Sequence, residues 1–196
     1  MIETGADWVG VRRNDGQKFV LMLDKLSDDD RTWLKAKENA AAAKEQAAAV
    51  QAAIVKWCKS QNGQQVGNGE CWTLANEAFK NCGAKRPGGD LRGWGRKLDF
   101  PKEKPQPGDI VEYRKASFSN GSRTGEKHTA VVTGLGKKKG SLLISEQNWN
   151  GVKKVREVEF DPATLTSGEM MFYRPETNPR PRLGCLQRLR PRSALG

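Results

Sequence analysis

The feature that most limits the fold is an asymmetry. One amphipathic helical run opens on a cysteine, and only strand-like runs follow it. Cys71, Leu74, Ala75, Ala78 and Phe79 fall at i, i+3, i+4, i+7 and i+8, which is one face of a helix. Gly63, Gly67 and Gly69 make a loop before it, and Gly83 supplies its stop. Downstream, DIVEY (109–113), HTAVVTG (128–134), SLLISEQNW (141–149), VREVEF (155–160) and MMFYRP (170–175) read as strands. The Gly- and Pro-rich stretch 87–108 reads as irregular. A helix followed by a run of mostly antiparallel strands is an α+β pattern.

The chain before this block has a different character. WVGVRR and KFVLML flank Asn14-Asp15-Gly16-Gln17, a hairpin turn signal. Ser27 is suited to cap a helix that starts at Asp28. Asp28, Asp29 and Asp30 favour its first turn, where the helix dipole welcomes negative charge. Residues 36–53 are almost pure helix formers and read as a helical spacer that runs into Ile54-Val55-Lys56-Trp57. Its face is alanine rather than leucine, which argues against a coiled coil. The expected organisation is a short segment 1–35, the spacer 36–53, a main domain 54–175 and a basic tail 176–196. The tail lacks apolar periodicity and is expected to be disordered.

Charge narrows the partners without choosing one. The 196 residues carry a net charge of +11, and 36% are hydrophobic. The mean hydropathy is -0.73. No apolar run approaches the roughly 20 residues needed to cross a bilayer. MIETGADWVG is not a signal peptide, because it has neither a basic nor an apolar region. A basic chain attracts anions, but here the charge is dispersed. Five arginines and one glutamate give the tail +4 of the total, so weak polyanion binding is expected there. Lys137, Lys138 and Lys139 read as a solvated hairpin tip. Four cysteines, one histidine and no CxxC pair exclude the usual zinc spacing. Cys58 and Cys82 read as buried thiols, and a disulfide between them is left open.

The chemistry gathers around Cys71. At the first turn of a helix, free backbone N–H groups and the dipole stabilise a thiolate. His128, the sole histidine, opens a strand, where a general base is well placed at a sheet rim. Such a base needs an acceptor on its other ring nitrogen. Glu146 and Asn148 stand two apart on one strand, so they share a face and either could orient the ring. Gln147, on the opposite face, is expected to leave turnover nearly unchanged.

Cys71 at the helix start, PGDIV (107–111), HTAVV (128–132), SEQNWNG (145–151) and FYRP (172–175) resemble a CHAP domain of the wider NlpC-type, papain-like group. GNGECWTLANEAF, EQNWNG and LTSGEMMFYRP are also similar to the cysteine-proteinase-fold domain of fungal myosin-tail-interacting adaptors. The resemblance implies Cys71 as nucleophile, His128 as base, Glu146 and Asn148 as the orienting pair, and Glu70 and Trp72 beside the oxyanion. It implies a peptide or peptidoglycan-like substrate cleaved at an amide. The alternative is an idle papain-like fold that acts as an adaptor. CHAP domains usually carry Gln where this chain has Glu70. That carboxylate either points away or faces the cleft, where it would oppose catalysis. The loop GQQVGNGE lacks the aspartates of calcium-binding relatives, so no metal or other cofactor is expected. NDGQKFVLMLDKLSDDDRTWL resembles the second half of an SLA homology domain 1, which implies a protein partner through 1–35. It also suggests a truncated start, which leaves an extracytoplasmic location open.

Overall fold

The computed structural model of the chain describes residues 2–5, 7–86 and 93–177. It divides into two units, Met1–Glu45 and Gln46–Gly196. In the first, β1 (Ile2–Thr4), β2 (Trp8–Arg12) and β3 (Lys18–Met22) form an antiparallel sheet in that order. The turn after β2 closes through Gly16 N–H to the Arg13 carbonyl at 3.0 Å, and Asp15 Oδ1 accepts the Gln17 N–H at 3.0 Å. Phe19, Val20, Leu21 and Met22 of β3 are all exposed.

One helix, α1, runs from Asp28 to Ser60 and contains the whole alanine-rich stretch. Ser27 Oγ accepts the Asp30 N–H at 3.2 Å and donates to its carboxylate at 2.6 Å, a side-chain cap. Within the second unit, Val50, Ile54 and Cys58 recur every fourth residue on one buried stripe.

The second unit sets α2 (Cys71–Cys82) against a six-stranded antiparallel sheet. Its strands are β4 (Arg96–Lys97), β5 (Ile110–Phe118), β6 (His128–Leu135), β7 (Leu142–Glu146), β8 (Arg156–Phe160) and β9 (Leu165–Arg174). Their order is β4-β9-β5-β6-β7-β8. This is the α+β, papain-like architecture expected. Strand alternation splits the core in two. Ile110, Val131 and Tyr173 pack with the α1 stripe and with Leu74, Ala78 and Phe79 of α2. Their neighbours Val111, Ala130, Val132 and Phe172 face the other way, toward Tyr113, Phe118 and Ile144. Gly83 ends α2 with φ 77°, and its N–H returns to the Phe79 carbonyl.

The Pro107-Gly108-Asp109 step joins helix to sheet. Asp109 is fully buried and accepts from Gln51 Nε2 at 3.0 Å and from Arg174 at 3.1 and 3.0 Å. A Cβ on Gly108 would lie 2.6 Å from the Gln51 Cβ, so only glycine lets α1 come this close. The Cys58–Cys82 disulfide left open by the sequence does not form. The tail from 178 onward, with its arginines and Cys185, lies outside the described residues.

Candidate functional site

The site grows from strand register. His128 opens β6 opposite Tyr113 of β5, and two residues on, Ala130 lies opposite Glu146 at the end of β7. Glu146 is paired in turn with Arg156 of β8. His128 and Glu146 are therefore diagonal neighbours on one sheet face, within reach of long side chains. His128 Nε2 lies 2.8 Å from Glu146 Oε2. The other carboxylate oxygen accepts from Arg156 Nε at 3.0 Å and Nη2 at 2.6 Å. The ring stacks on Tyr113 at 6.0 Å and meets the edge of Trp149 at 5.2 Å.

With Nε2 on Glu146, Nδ1 is the nitrogen left for Cys71, whose thiol is hydrogen-bonded to the ring. Burial by itself would raise the Cys71 pKa. The His128 hydrogen bond and charge, with the N–H groups of Thr129 and Trp72, outweigh burial and lower it. Burial would likewise lower His128, but its bonds to Cys71 and Glu146 carry it from 6.5 to about 9. Both shifts have one sense: each favours the charged form of its group, the thiolate of Cys71 and the imidazolium of His128.

The two candidates for orienting His128 separate. Glu146 holds the ring. Asn148 does not continue the strand, because β7 ends at Glu146 and Asn148 takes φ 61°. Asn148 Nδ2 donates instead to Glu70 Oε2 at 2.9 Å. The reversal of direction after it is an Asn-Gly turn. Asn150 and Gly151 have φ 51° and 78°, and Val152 N–H returns to the Trp149 carbonyl. The expected shared strand face of Glu146 and Asn148 is thus replaced by a strand end and a turn.

Glu70 turns its carboxylate to the Asn148 amide. It lines a cleft of about 330 Å³ with Cys71, His128, Asn148, Trp149 and Arg123. Lys153 Nζ lies 3.7 Å from its other oxygen. Trp72 contributes its backbone N–H to the Cys71 sulfur, and its ring packs against the helix-side core. A larger cavity of about 520 Å³, with Phe118 and Phe160 among its walls, shares only Trp149 with the cleft and has neither cysteine nor histidine in its lining. Among the described residues no group of His, Cys, Asp and Glu side chains is placed to hold a metal ion, and no helix is long and apolar enough to cross a membrane.

Sequence reasoning missed Arg156, Tyr113, Thr73 and the role of Gln147. Arg156 and Tyr113 become visible only once the register is known. Gln147 and Thr73 are isolated polar residues at apolar-facing positions, a signal that a buried hydrogen bond is required.

The model of the AIM3/BBC1 cysteine proteinase-fold domain matches residues 36–179. A relative from Debaryomyces hansenii, "Altered inheritance of mitochondria protein 3", is 31% identical over 144 residues. The match takes in 62% of this chain, and the chain spans about 15% of that relative's length. Among solved structures, Ly7917 matches with a TM-score of 0.40 at 18% identity, covering 66% of this chain and 62% of that one. Ly7917 with the hydrolyzing product of MDP matches with a TM-score of 0.43 at 20% identity, covering 64% and 63%.

Proposed function

We propose, on the premise that the chain belongs to the AIM3/BBC1 cysteine proteinase-fold family, that this domain is a protein-interaction module of a larger protein, and that the cleft over Cys71 is where it meets a polypeptide. Glu70 carries this reading. Acyl transfer at Cys71 would build negative charge on a carbonyl oxygen beside the first amides of α2. A carboxylate held in the same cleft by Asn148 opposes that charge. Binding a polypeptide without breaking a bond meets no such opposition. The small share of the relative that the domain spans suits a part within a larger assembly. Residues 1–35, SLA-like in pattern, offer a second protein contact through the exposed apolar residues of β3. The basic tail offers weak, salt-sensitive binding to a polyanion.

A second reading is favoured by the joined Cys71, His128 and Glu146. It is a CHAP- or NlpC-type amide hydrolase acting on a peptide or peptidoglycan-like substrate. Cys71 would attack the carbonyl, His128 would protonate the leaving amine, and water would clear the acyl-enzyme. The two readings part on what wild type does to an amide, with Glu70→Gln as the control for the role of the carboxylate. Wild type should acylate slowly with an activated ester such as p-nitrophenyl acetate and leave a panel of peptides and muropeptides uncut. Glu70→Gln should speed acylation by about 10²–10³, the range for one oxyanion donor. Turnover of any amide by wild type at about 1 s⁻¹ or faster would replace the interaction reading by the hydrolase.

A further inference from the structure

Glu146, Gln147 and Asn148 are consecutive, and each holds a different part of the site. Glu146 holds His128, and Asn148 holds the Glu70 carboxylate. Gln147 points to the opposite side and is fully buried. Its Nε2 lies 3.0 Å from the Val66 carbonyl, 2.7 Å from the Glu70 carbonyl and 2.7 Å from Thr73 Oγ1. Its Oε1 accepts the Val66 N–H at 3.1 Å. An amide has two N–H groups, so these acceptors share them and no polar atom of the side chain is idle. Every partner belongs to the loop or the first turn that carries Cys71.

This first turn is unusual in its capping. An N-cap side chain ordinarily accepts an N–H from the second or third helical residue. Glu70 is the N-cap of α2 and makes no such bond, because its carboxylate is turned to Asn148 and Lys153. The Thr73 N–H goes to the Glu70 carbonyl at 3.0 Å, and the Trp72 N–H is left to the Cys71 sulfur. The turn therefore lacks an N-cap side-chain bond, and its internal side-chain tie is the Thr73 hydroxyl, which lies 3.0 Å from the Val66 carbonyl and 2.7 Å from the Glu70 carbonyl. A second clamp comes from the end of β7: Gln147 grips the Glu70 carbonyl on one side of Cys71 and the same Thr73 hydroxyl on the other.

We infer that Gln147 is a positioning residue for Cys71: its buried amide fixes the first turn of α2 to the end of β7, so that the sulfur stays on His128 and on the Trp72 N–H. The same peptide segment carries Glu146, so one anchor sets both halves of the pair. A sequence reading that treats Gln147 as a bystander misses this, because alternation tells which face it takes and not what waits there. The inference rests on the reading of Cys71 and His128 as a charged pair, whatever the cleft binds.

The test is the pH profile of Cys71 alkylation by iodoacetamide in the whole chain, read by mass spectrometry with Cys58 and Cys82 as internal references. Thermal unfolding is measured on the same samples. Gln147→Met keeps the length of the side chain and removes its donors. It should slow Cys71 at about pH 6 by roughly tenfold and move its midpoint up by about one unit, since one unit is a tenfold change in thiolate. A lowered Tm with an unchanged Cys71 profile would mean that Gln147 only stabilises the fold, and would overturn the inference. Should Gln147→Met fail to fold, Thr73→Val removes, at nearly constant shape, the hydroxyl that Gln147 holds together with its bonds to the Val66 and Glu70 carbonyls. It should shift Cys71 in the same direction, and no shift would equally overturn the inference. A wild-type Cys71 that is slow at about pH 6 would instead remove the charged pair itself, and the positioning role with it.

Discussion

Cys58 and Cys71 carry the same thiol in two regions of one unit, and the regions treat it in opposite ways. Cys58 sits inside the α1 stripe with no exposed surface, among Ile54, Phe79 and Cys82. Burial, helped by Cys82, pushes its pKa far up. Cys71 is also mostly withdrawn from water, and burial pulls it the same way. It ends below its ordinary value because an imidazolium and two backbone N–H groups converge on the sulfur. The core asks only for volume and apolarity. The site asks for directed donors, and those come from a helix start and a strand register rather than from composition.

The largest expected effect breaks or upholds this contrast directly. At about pH 6 an ordinary thiol of pKa about 8.5 is ionised to well under about 1%, while a thiol lowered by a helix start and a cationic neighbour is ionised to a large fraction. A lower pKa also weakens the nucleophile, which returns part of the gain. Cys71 should therefore alkylate at least about a hundredfold faster than Cys58 or Cys82 once access is included. Equal rates for the three in the folded protein would erase the contrast.

His128 sharpens it. His128→Ala should slow Cys71 at about pH 6 by roughly tenfold, leaving the helix start to hold the thiolate alone. The sign of the pH dependence follows from the shifts. Because the folded His128 pKa lies above its ordinary 6.5, its contribution to stability is complete below 6.5 and fades as pH rises through about 9. Because the folded Cys71 pKa is depressed, its contribution is present above the ordinary thiol value and is lost as pH falls through the folded one. Thermal unfolding across this range should show the advantage of wild type over His128→Ala shrinking between pH 6.5 and about 9. An advantage that grows there would reverse the assigned charges.

Much of this arrangement was open to reading from residues alone. The i, i+3, i+4 pattern found α2 and placed Cys71 at its start, because a helix face repeats regularly enough to be counted. HTAVV found β6 and put His128 at its beginning. The choice between Glu146 and Asn148 was not readable, since it turns on where β7 stops. Asn150-Gly151 signalled a turn, but only geometry shows that it bends Asn148 away to Glu70. Arg156 and Tyr113 reach the site through cross-strand pairing, which a single sequence does not display. The long β5 also runs past the expected 113 to Phe118, through an irregularity near Lys115, whose φ is 46°. Such a break hides strand periodicity.

The smallest expected effect tests whether core and site are separable at all. Gln51, near the start of the α1 stripe, donates to the buried Asp109 and accepts from Gln106 Nε2 at 2.8 Å. Asp109 keeps Arg174 and the Gln106 N–H at 2.9 Å when Gln51 is removed, so no buried charge is stranded. Gln51→Ala should therefore cost about 1.5–3 kcal/mol, the range for one hydrogen bond to a charged group, rather than the larger penalty of an unpaired carboxylate. A chain begun at residue 54 loses this bond and the buried Val50 together, so it should be less stable than a chain begun at 46. In Gln51→Ala the Cys71 alkylation profile should not move, because the Gln51 side chain bonds Asp109 and Gln106, whereas Gln147 touches the loop that carries the sulfur. Denaturant unfolding gives the first quantity and alkylation the second. A shifted Cys71 profile in Gln51→Ala would show that the α1 packing also sets the site, and the contrast between a core that needs only volume and a site that needs direction would fail.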